Sequence, residues 1–397
     1  MKVLMINHFP LAGSGSGTYT RNIAVHLMKK GHEVAIIMPD NTLNYSRVPA
    51  AKMYPVFFTY DESIEGALPF NFPCFTTHPR STATFFNLDD NSLAAYLSVF
   101  KVTIELAVAE FKPDVIHGQH IWLLSWLGAK TGIPCIITAH GTDLMGYQKT
   151  SRFREYADEA AMLAKKLITI SNDNDDLVQE LFPDNADKTI IMRNGYDPDR
   201  FYPEPRDGEH ILTEFDIKPL KRFVLFAGKL TYFKGVDILL EAARLYEGER
   251  PGEIVTVIAG DGELADQIKK QAKDYNLKNT HFLGLIDISQ LRALYSAADV
   301  CVMPSRREPF GLVAIEALAC GCPVVVTNQG GLPDIIDDSV GELVDVNDPI
   351  GLFDAIQREL YRPDRPARRK HAAEYALEKY AQDTLIDSLI DTLNSVK

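Results

Sequence analysis

The sequence predicts an α/β protein built from two doubly wound parallel sheets in tandem, and three observations carry that prediction. Short apolar runs such as KVLMI, EVAIIM, RFVLFAG and PVVVTN recur along the chain, separated by stretches with helical spacing. Most of these runs are continuously apolar, the pattern of strands covered on both faces. Around TIIMRNGYDPDRFYPEPRDGEH the texture turns to Pro, Asp and Gly, a linker composition, and the alternation then restarts.

The elements follow in order. KVLMI is a first strand, the glycine-rich PLAGSGSGTYT follows it, and Ile23, Leu27 and Met28 recur at helical spacing until Gly31 closes that helix before EVAIIM. Residues 41–100 are rich in Phe, Pro and Tyr and predict loops, one strand and a helix near 91–110. PDVIHGQH, PCIITAHGTD and KLITIS are three further strands ending in polar or glycine residues. After the linker come RFVLFAG, a helix over 235–246, EIVTVIAGDG, a helix over 263–275, THFLG, a helix over 289–297, DVCVMPS, a helix over 311–320, PVVVTN and GELV. One last helical stretch spans about 369–396. The expected division is 1–195, 196–375, and a C-terminal helix over 376–397 that crosses back to the first domain. Ligands of such sheets sit beyond the carboxyl ends of the strands, so residues just after strands are the site candidates, in a cleft between the two domains.

Composition narrows the function. The apolar fraction of 46% and charged fraction of 24% are those of a folded globular chain. The net charge of -13 is shared by both halves and argues against nucleic acid, which requires a basic face. It also disfavours tight docking on an anionic membrane, although a local basic patch would leave peripheral contact open. Cys320 and Cys322 are separated by one residue, not the two of a zinc or redox pair, so the five cysteines are expected to be buried thiols in a reducing cytoplasm. The N-terminus lacks a secretory pattern and no run approaches the ~18 apolar residues of a membrane span, so a cytoplasmic, soluble or peripheral protein is expected.

Four constellations follow strands. Gly13, Gly15 and Gly17 in GSGSGT permit close backbone approach at a helix start, where Ser14, Gly15, Ser16 and Gly17 would offer N–H groups to a phosphate; a tight turn without ligand is the alternative. The spacing is not G-x-G-x-x-G, which disfavours a dinucleotide-dependent oxidoreductase. His140, Thr142 and Asp143 in AHGTD place an imidazole, a hydroxyl and a carboxylate at a strand end; a structural histidine is the alternative. Lys229 and Lys234 flank the turn after RFVLFAG and can reach one anion, unless they are ordinary surface lysines. In REPFGLVAIEALA, Glu308 precedes and Glu316 follows a helix start at Phe310, Gly311, Leu312 and Val313, whose N–H groups suit a phosphate while the carboxylates suit the vicinal hydroxyls of sugars. Glu316 alone would more often brace a helix. Carboxylates beside a diphosphate are repulsive unless the lysines offset them, so the two pairs make sense together.

Over nearly the whole length these motifs, with KKGHEV, HGTD, NGYD, KGVDILLEAA, IAGDGEL and EPFGLVAIEALACGCPVVVTNQGGLPDII, resemble the retaining glycosyltransferases of family 4 with the GT-B architecture of two Rossmann-like domains. The resemblance implies a nucleotide-sugar co-substrate, with a UDP-sugar favoured, a small-molecule acceptor and no required metal or other cofactor. It implies catalytic roles for His140, Glu308 and Lys234, with Glu308 on the donor sugar. It assigns Glu316 to the ribose, Lys229 and Lys234 to the diphosphate, and the backbone of Phe310, Gly311, Leu312 and Val313 with the 14–17 loop to the phosphates. Family members commonly carry arginine where this chain has Lys229, so a bidentate fork is absent there. Thr142, Asp143, Lys149, Arg152 and Arg154 are candidates for an anionic acceptor, or are ordinary helix-surface groups. A second reading has a lipid-linked or cell-surface glycan acceptor at a membrane, favoured only by the aromatic segment 54–86. A sugar-nucleotide epimerase and a non-catalytic nucleotide-sugar sensor are the other classes, and a homodimer is left open.

Overall fold

Seven strands form the first sheet: β1 (Lys2–Ile6), β2 (Glu33–Asp40), β3 (Lys52–Phe57), β4 (Val115–Gln119), β5 (Cys135–Thr138), β6 (Lys166–Thr169) and β7 (Thr189–Ile191). They are all parallel, in the order β3-β2-β1-β4-β5-β6-β7. Six more form a second parallel sheet: β8 (Arg222–Ala227), β9 (Ile254–Ala259), β10 (Thr280–Gly284), β11 (Val300–Met303), β12 (Val324–Thr327) and β13 (Gly341–Val344), in the order β10-β9-β8-β11-β12-β13. This computed structural model describes residues 1–59, 64–76, 78–205 and 208–397. The chain divides into Met1–Arg193 with Leu385–Lys397, and Asn194–Thr384.

In each sheet the strand order reverses once beside the founding strand. After β1 the chain adds strands on one side and then returns to place β4 on the other; after β8 it does the same with β11. The crevice beyond the carboxyl ends of β1 and β4, and that beyond β8 and β11, are therefore where a doubly wound sheet receives a ligand.

Coverage on both faces explains the continuous apolar strands. Val3 and Met5 of β1 pack with Tyr19, Ile23 and Leu27 of helix Gly15–Lys29 and with Ile386, Leu389 and Leu393, while Leu4 and Ile6 join Tyr96, Phe100 and Ile104 on the other face. Each fully buried aliphatic side chain contributes about 1.5–3 kcal/mol. The second sheet repeats the arrangement with Leu239, Leu240, Ala243 and Tyr246 over Val224 and Phe226. The five cysteines are free and buried.

The aromatic segment 54–86, apart from residues 60–63 and 77 outside the described range, is core: Phe58, Phe72, Phe75 and Phe85 are buried in the first unit. Phe57, Phe70 and Phe86 of the same segment are half-buried. Helix Asp90–Phe111 is long and apolar enough to cross a membrane by composition, yet it packs Leu93, Tyr96, Phe100, Ile104 and Ala107 into that core.

Two expectations change. The stretch TII, read as linker, is the edge strand β7 of the first sheet, and of the linker Arg206 and Asp207 lie outside the described residues. The single C-terminal helix is two, Arg365–Tyr380 and Gln382–Ser395, broken at an extended Ala381. Tyr196 inserts there, its N–H donating to Tyr380 O at 3.0 Å and its carbonyl accepting from Gln382 N–H at 2.9 Å. Residues 376–384 consequently belong to the second unit, and only Leu385–Lys397 joins the first.

Candidate functional site

The crevice of the second sheet is built by three chain segments. After β8, a 3-10 turn Tyr232–Lys234 ends at Gly235 (φ 65°), where a Cβ would lie 1.9 Å from Pro304 O, so only glycine lets this turn pack against the chain leaving β11. Arg306 ties the two segments. Its N–H donates to Phe233 O at 2.8 Å, and its guanidinium donates to Tyr232 O at 3.0 Å and forks onto Asp237 at 2.8 and 2.6 Å. A bidentate guanidinium fixes geometry as well as charge. The third segment follows β12: Gln329 Oε1 accepts from Glu308 N–H at 2.8 Å, and Gly331 N–H donates to Glu308 O at 3.0 Å.

The outcome is that Lys234 Nζ lies 2.5 Å from Glu308 Oε2, with side chains 28% and 12% exposed. The ammonium has three donors and spends one on Glu308, leaving others for an anion. Lys229 leaves the same strand end and is half-buried.

Helix Leu312–Ala319 begins beside Glu308. Gly311 (φ 113°) precedes it because a Cβ would sit 2.7 Å from Leu332 Cδ2, and a glycine cannot cap with a side chain. The first intrahelical donor is Ala314, to Gly311 O at 2.9 Å, so the N–H groups of Leu312 and Val313 have no intrahelical partner. An uncapped helix end of this kind suits a phosphate. Phe310 is buried. Glu316, half-buried on the same helix, has its carboxyl raised to about 8 by burial, with Arg200 opposing. The raised value favours the protonated form, which can both donate and accept. Among the described residues it makes no hydrogen bond or ion pair with Lys234 or Glu308. One carboxylate is thus neutralised by an ammonium and the other by a proton, which removes much of the repulsion a diphosphate would meet.

The 14–17 loop of the first unit is different. Ser14 caps helix Gly15–Lys29 itself, its Oγ accepting from Gly17 N–H at 3.0 Å. A Cβ on Gly17 would lie 2.2 Å from Pro10 O, so this glycine is required by the loop's own packing. Gly15 and Ser16 occupy the first turn, and Ser16 is buried.

Beyond β1, β4 and β5 the first unit gathers three imidazoles, His8, His120 and His140, while His117 lies within β4 itself. His8 Nε2 accepts from Leu124 N–H at 2.9 Å, so its Nδ1–H donates to Gln119 O, also at 2.9 Å. His140 is 8% exposed, and its Nε2 lies 2.8 Å from Gln119 Oε1. Tyr19 and His120 flank the ring at centroid distances of 5.2 and 4.9 Å. Burial, helped by the fields of His117 and His8, lowers His140 to about 3, so it is neutral. His120 adopts φ 73°, an uncommon conformation for a side-chain-bearing residue.

The remaining candidates are engaged locally. Asp143 faces inward, accepting from Ile121 N–H at 2.8 Å and His140 N–H at 3.1 Å, and burial raises it to about 6. Lys149 lies over the Phe86 ring at 4.0 Å. Arg152 is bonded to Leu88 O and to Asp90 at 2.5 Å; Arg154 donates to Tyr147 O at 3.0 Å. Thr142 is half-buried at the first position of its helix. Sequence reasoning missed Gln119, which reads as an ordinary strand residue, and Arg306, which reads as one of a surface pair; their positions immediately at strand ends were the available signal.

Two family models match the chain: "Glycosyltransferase Family 4" over residues 13–200 and "Glycosyl transferases group 1" over residues 209–378. The D-inositol 3-phosphate glycosyltransferase of Mycolicibacterium smegmatis is 30% identical over 406 residues, covering 94% of this chain and 87% of the relative. The glycogen synthase of Mycobacterium tuberculosis is 29% identical over 398 residues, covering 95% and 90%. The solved sucrose-phosphate synthase of Thermosynechococcus elongatus superposes with a TM-score of 0.78 at 22% identity, over 100% of this chain and 98% of that one. With two Rossmann-like parallel sheets, both family matches and that 30% identity along nearly its full length, the chain belongs to the family 4 glycosyltransferases, of GT-B fold.

Proposed function

We propose that this glycosyltransferase moves a hexose from a UDP-sugar to a small polar or anionic acceptor, with retention at the anomeric carbon and without a metal ion. The observation that carries the reading is the Lys234–Glu308 pair at the second sheet's topological switch, beside a helix end whose N–H groups are open. Lys234, Lys229 and the N–H groups of Leu312 and Val313 would stabilise the departing diphosphate, which is where negative charge develops. Two ammonium groups supply the charge a metal would otherwise provide. Glu308 would exchange its ammonium partner for sugar hydroxyls, and the protonated Glu316 would hydrogen-bond the ribose. His140 is assigned to the reacting sugar. Departure of the diphosphate on the face that the acceptor attacks gives retention.

The acceptor class is favoured by the relative named for D-inositol 3-phosphate, a small anionic polyol, at 30% identity. Since Arg152 and Arg154 are committed locally, acceptor charge would fall to residues able to release their present partners. A thermal-shift panel of UDP-, GDP- and ADP-sugars tests the donor: a ligand at a hundredfold excess over its Kd stabilises by about 2.7 kcal/mol. A rise with UDP-sugars alone supports the reading; a rise only with ADP- or GDP-sugars overturns the carrier. Donor consumption without any acceptor would instead mark an epimerase, and binding without turnover a sensor.

A further inference from the structure

The buried polar cluster at the ends of β1, β4 and β5 contains one side chain with a clear task and no assigned role. Gln119 is fully buried as the last residue of β4, and its side chain meets His140 through Oε1 at 2.8 Å. Its backbone is fixed as well, because the carbonyl accepts from His8 Nδ1–H, and His8 is oriented from its other nitrogen by Leu124 N–H. The amide nitrogen of Gln119 is buried without a partner. An amide is thus held in a place where half of it is unsatisfied, and the satisfied half is the one facing His140.

We propose that Gln119 is a positioning residue that fixes His140 as the neutral Nε2–H tautomer and so presents Nδ1 as a hydrogen-bond acceptor to a hydroxyl of the reacting sugar. The inference rests on the assignment of His140 to that sugar. A buried neutral imidazole has one N–H, and the hydrogen bond at one nitrogen decides what the other can do. With Gln119 Oε1 accepting from Nε2–H, Nδ1 carries the lone pair. No described protein group bonds Nδ1. Tyr19 from the first helix and His120 from the end of β4 face the ring, Asp143 holds the His140 backbone N–H, and His8 and His117 act on the ring through their fields. None of these sets the tautomer. An amide oxygen can do so without charge, whereas a carboxylate there would stabilise the imidazolium and cost Nδ1 its acceptor role. The reversed amide, nitrogen toward His140, would give the opposite tautomer and a donor at Nδ1, so the two arrangements differ in an observable.

The test uses the full-length protein labelled with 15N-histidine, read by long-range 1H–15N correlation, with His140→Gln identifying the His140 signals among the 10 histidines. The expected wild-type pattern is a pyrrole-type Nε2 and a pyridine-type Nδ1. Gln119→Leu is expected to give averaged signals of mixed tautomers and to lower kcat on the order of tenfold or more, with the donor KM changed little. Gln119→Glu is expected to retain the Nε2–H tautomer while raising the pH at which His140 protonates. A wild-type Nδ1–H pattern, or a Gln119→Leu protein with the tautomer unchanged, overturns the proposal. If Gln119→Leu does not fold, an unmoved His140 protonation midpoint in Gln119→Glu overturns it instead. Because the tautomer is read without turnover, its failure is distinct from failure of the enzyme assignment, which would appear as absence of transfer from every donor.

Discussion

Replacing Glu308 by Gln separates the two jobs assigned to the Lys234–Glu308 pair, and the expected effects have opposite signs. In the wild type, Lys234 Nζ donates to Glu308 Oε2 at 2.5 Å, so its remaining donors are free for a diphosphate but its charge is already partly offset by that carboxylate. Glu308→Gln removes the offsetting charge, and nucleoside diphosphate should bind at least as tightly as before. Turnover should fall by an order of magnitude or more, because the acceptor for the sugar hydroxyls is gone. Lys234→Ala does the reverse to the nucleotide. A hydrogen bond to a charged group contributes about 1.5–3 kcal/mol, roughly 10- to 150-fold in Kd. The Glu308 carboxylate left behind adds repulsion, up to about 3–4 kcal/mol for a charge 4–5 Å away at an effective dielectric near 20, before solvent screens it. The Lys234→Ala/Glu308→Gln double variant should therefore recover part of the lost affinity. Glu308 is nearly buried, so Lys234→Ala should also lower fold stability by leaving that carboxylate unpaired, and thermal unfolding of each variant separates this from the loss of affinity. Titration calorimetry with UDP and steady-state transfer kinetics read both quantities. Weaker UDP binding in Glu308→Gln, with near-normal turnover, would refute the reasoning.

Other consequences follow from the same geometry. The Glu316 carboxyl is raised in the folded state from 4.5 to about 8, so the native protein holds an extra proton between those values, and this group's contribution to stability is lost as pH rises through that window. Glu316→Gln should flatten that decline in chemical denaturation series; an unchanged slope would remove the burial argument. Arg306→Ala should weaken UDP binding measurably, and Arg306→Lys should fail to restore it, because lysine cannot fork onto Asp237; full rescue by lysine would show that charge alone matters. Ser14→Ala should lower stability by about 1 kcal/mol through loss of the helix cap, seen in thermal unfolding, with little effect on UDP affinity; a large loss of affinity at unchanged stability would instead give the Ser14 side chain a phosphate role of its own. Transfer in protein stripped with a chelator should match the untreated rate; a loss restored by a divalent cation would contradict the metal-free mechanism.

Strands such as KVLMI and EVAIIM were legible because both their faces are covered, which forces every position to be apolar. β7 was not, because an edge strand of three residues with half-exposed side chains carries no such constraint. The break at Ala381 was invisible for a different reason: the helical pattern continues through it, and the interruption comes from Tyr196, nearly two hundred positions earlier in the chain. At the candidate site, Lys234 and Glu308 could be matched in sequence since both follow strands of one sheet, and topology brings such ends together. The protonation of Glu316 could not be read, as it depends on the burial around it. Arg152, Arg154 and Asp143 looked available as binding groups because the carbonyls, carboxylate and N–H groups that occupy them belong to other loops or to the turns of their own helices.

The most direct measurement is a crystal structure of the protein with a nucleoside diphosphate bound. The account predicts the diphosphate within hydrogen-bond distance of Lys234 Nζ and of the Leu312 and Val313 N–H groups, with the Lys234–Glu308 contact lengthened. A nucleotide seated elsewhere, with that contact still at its present length, would contradict it.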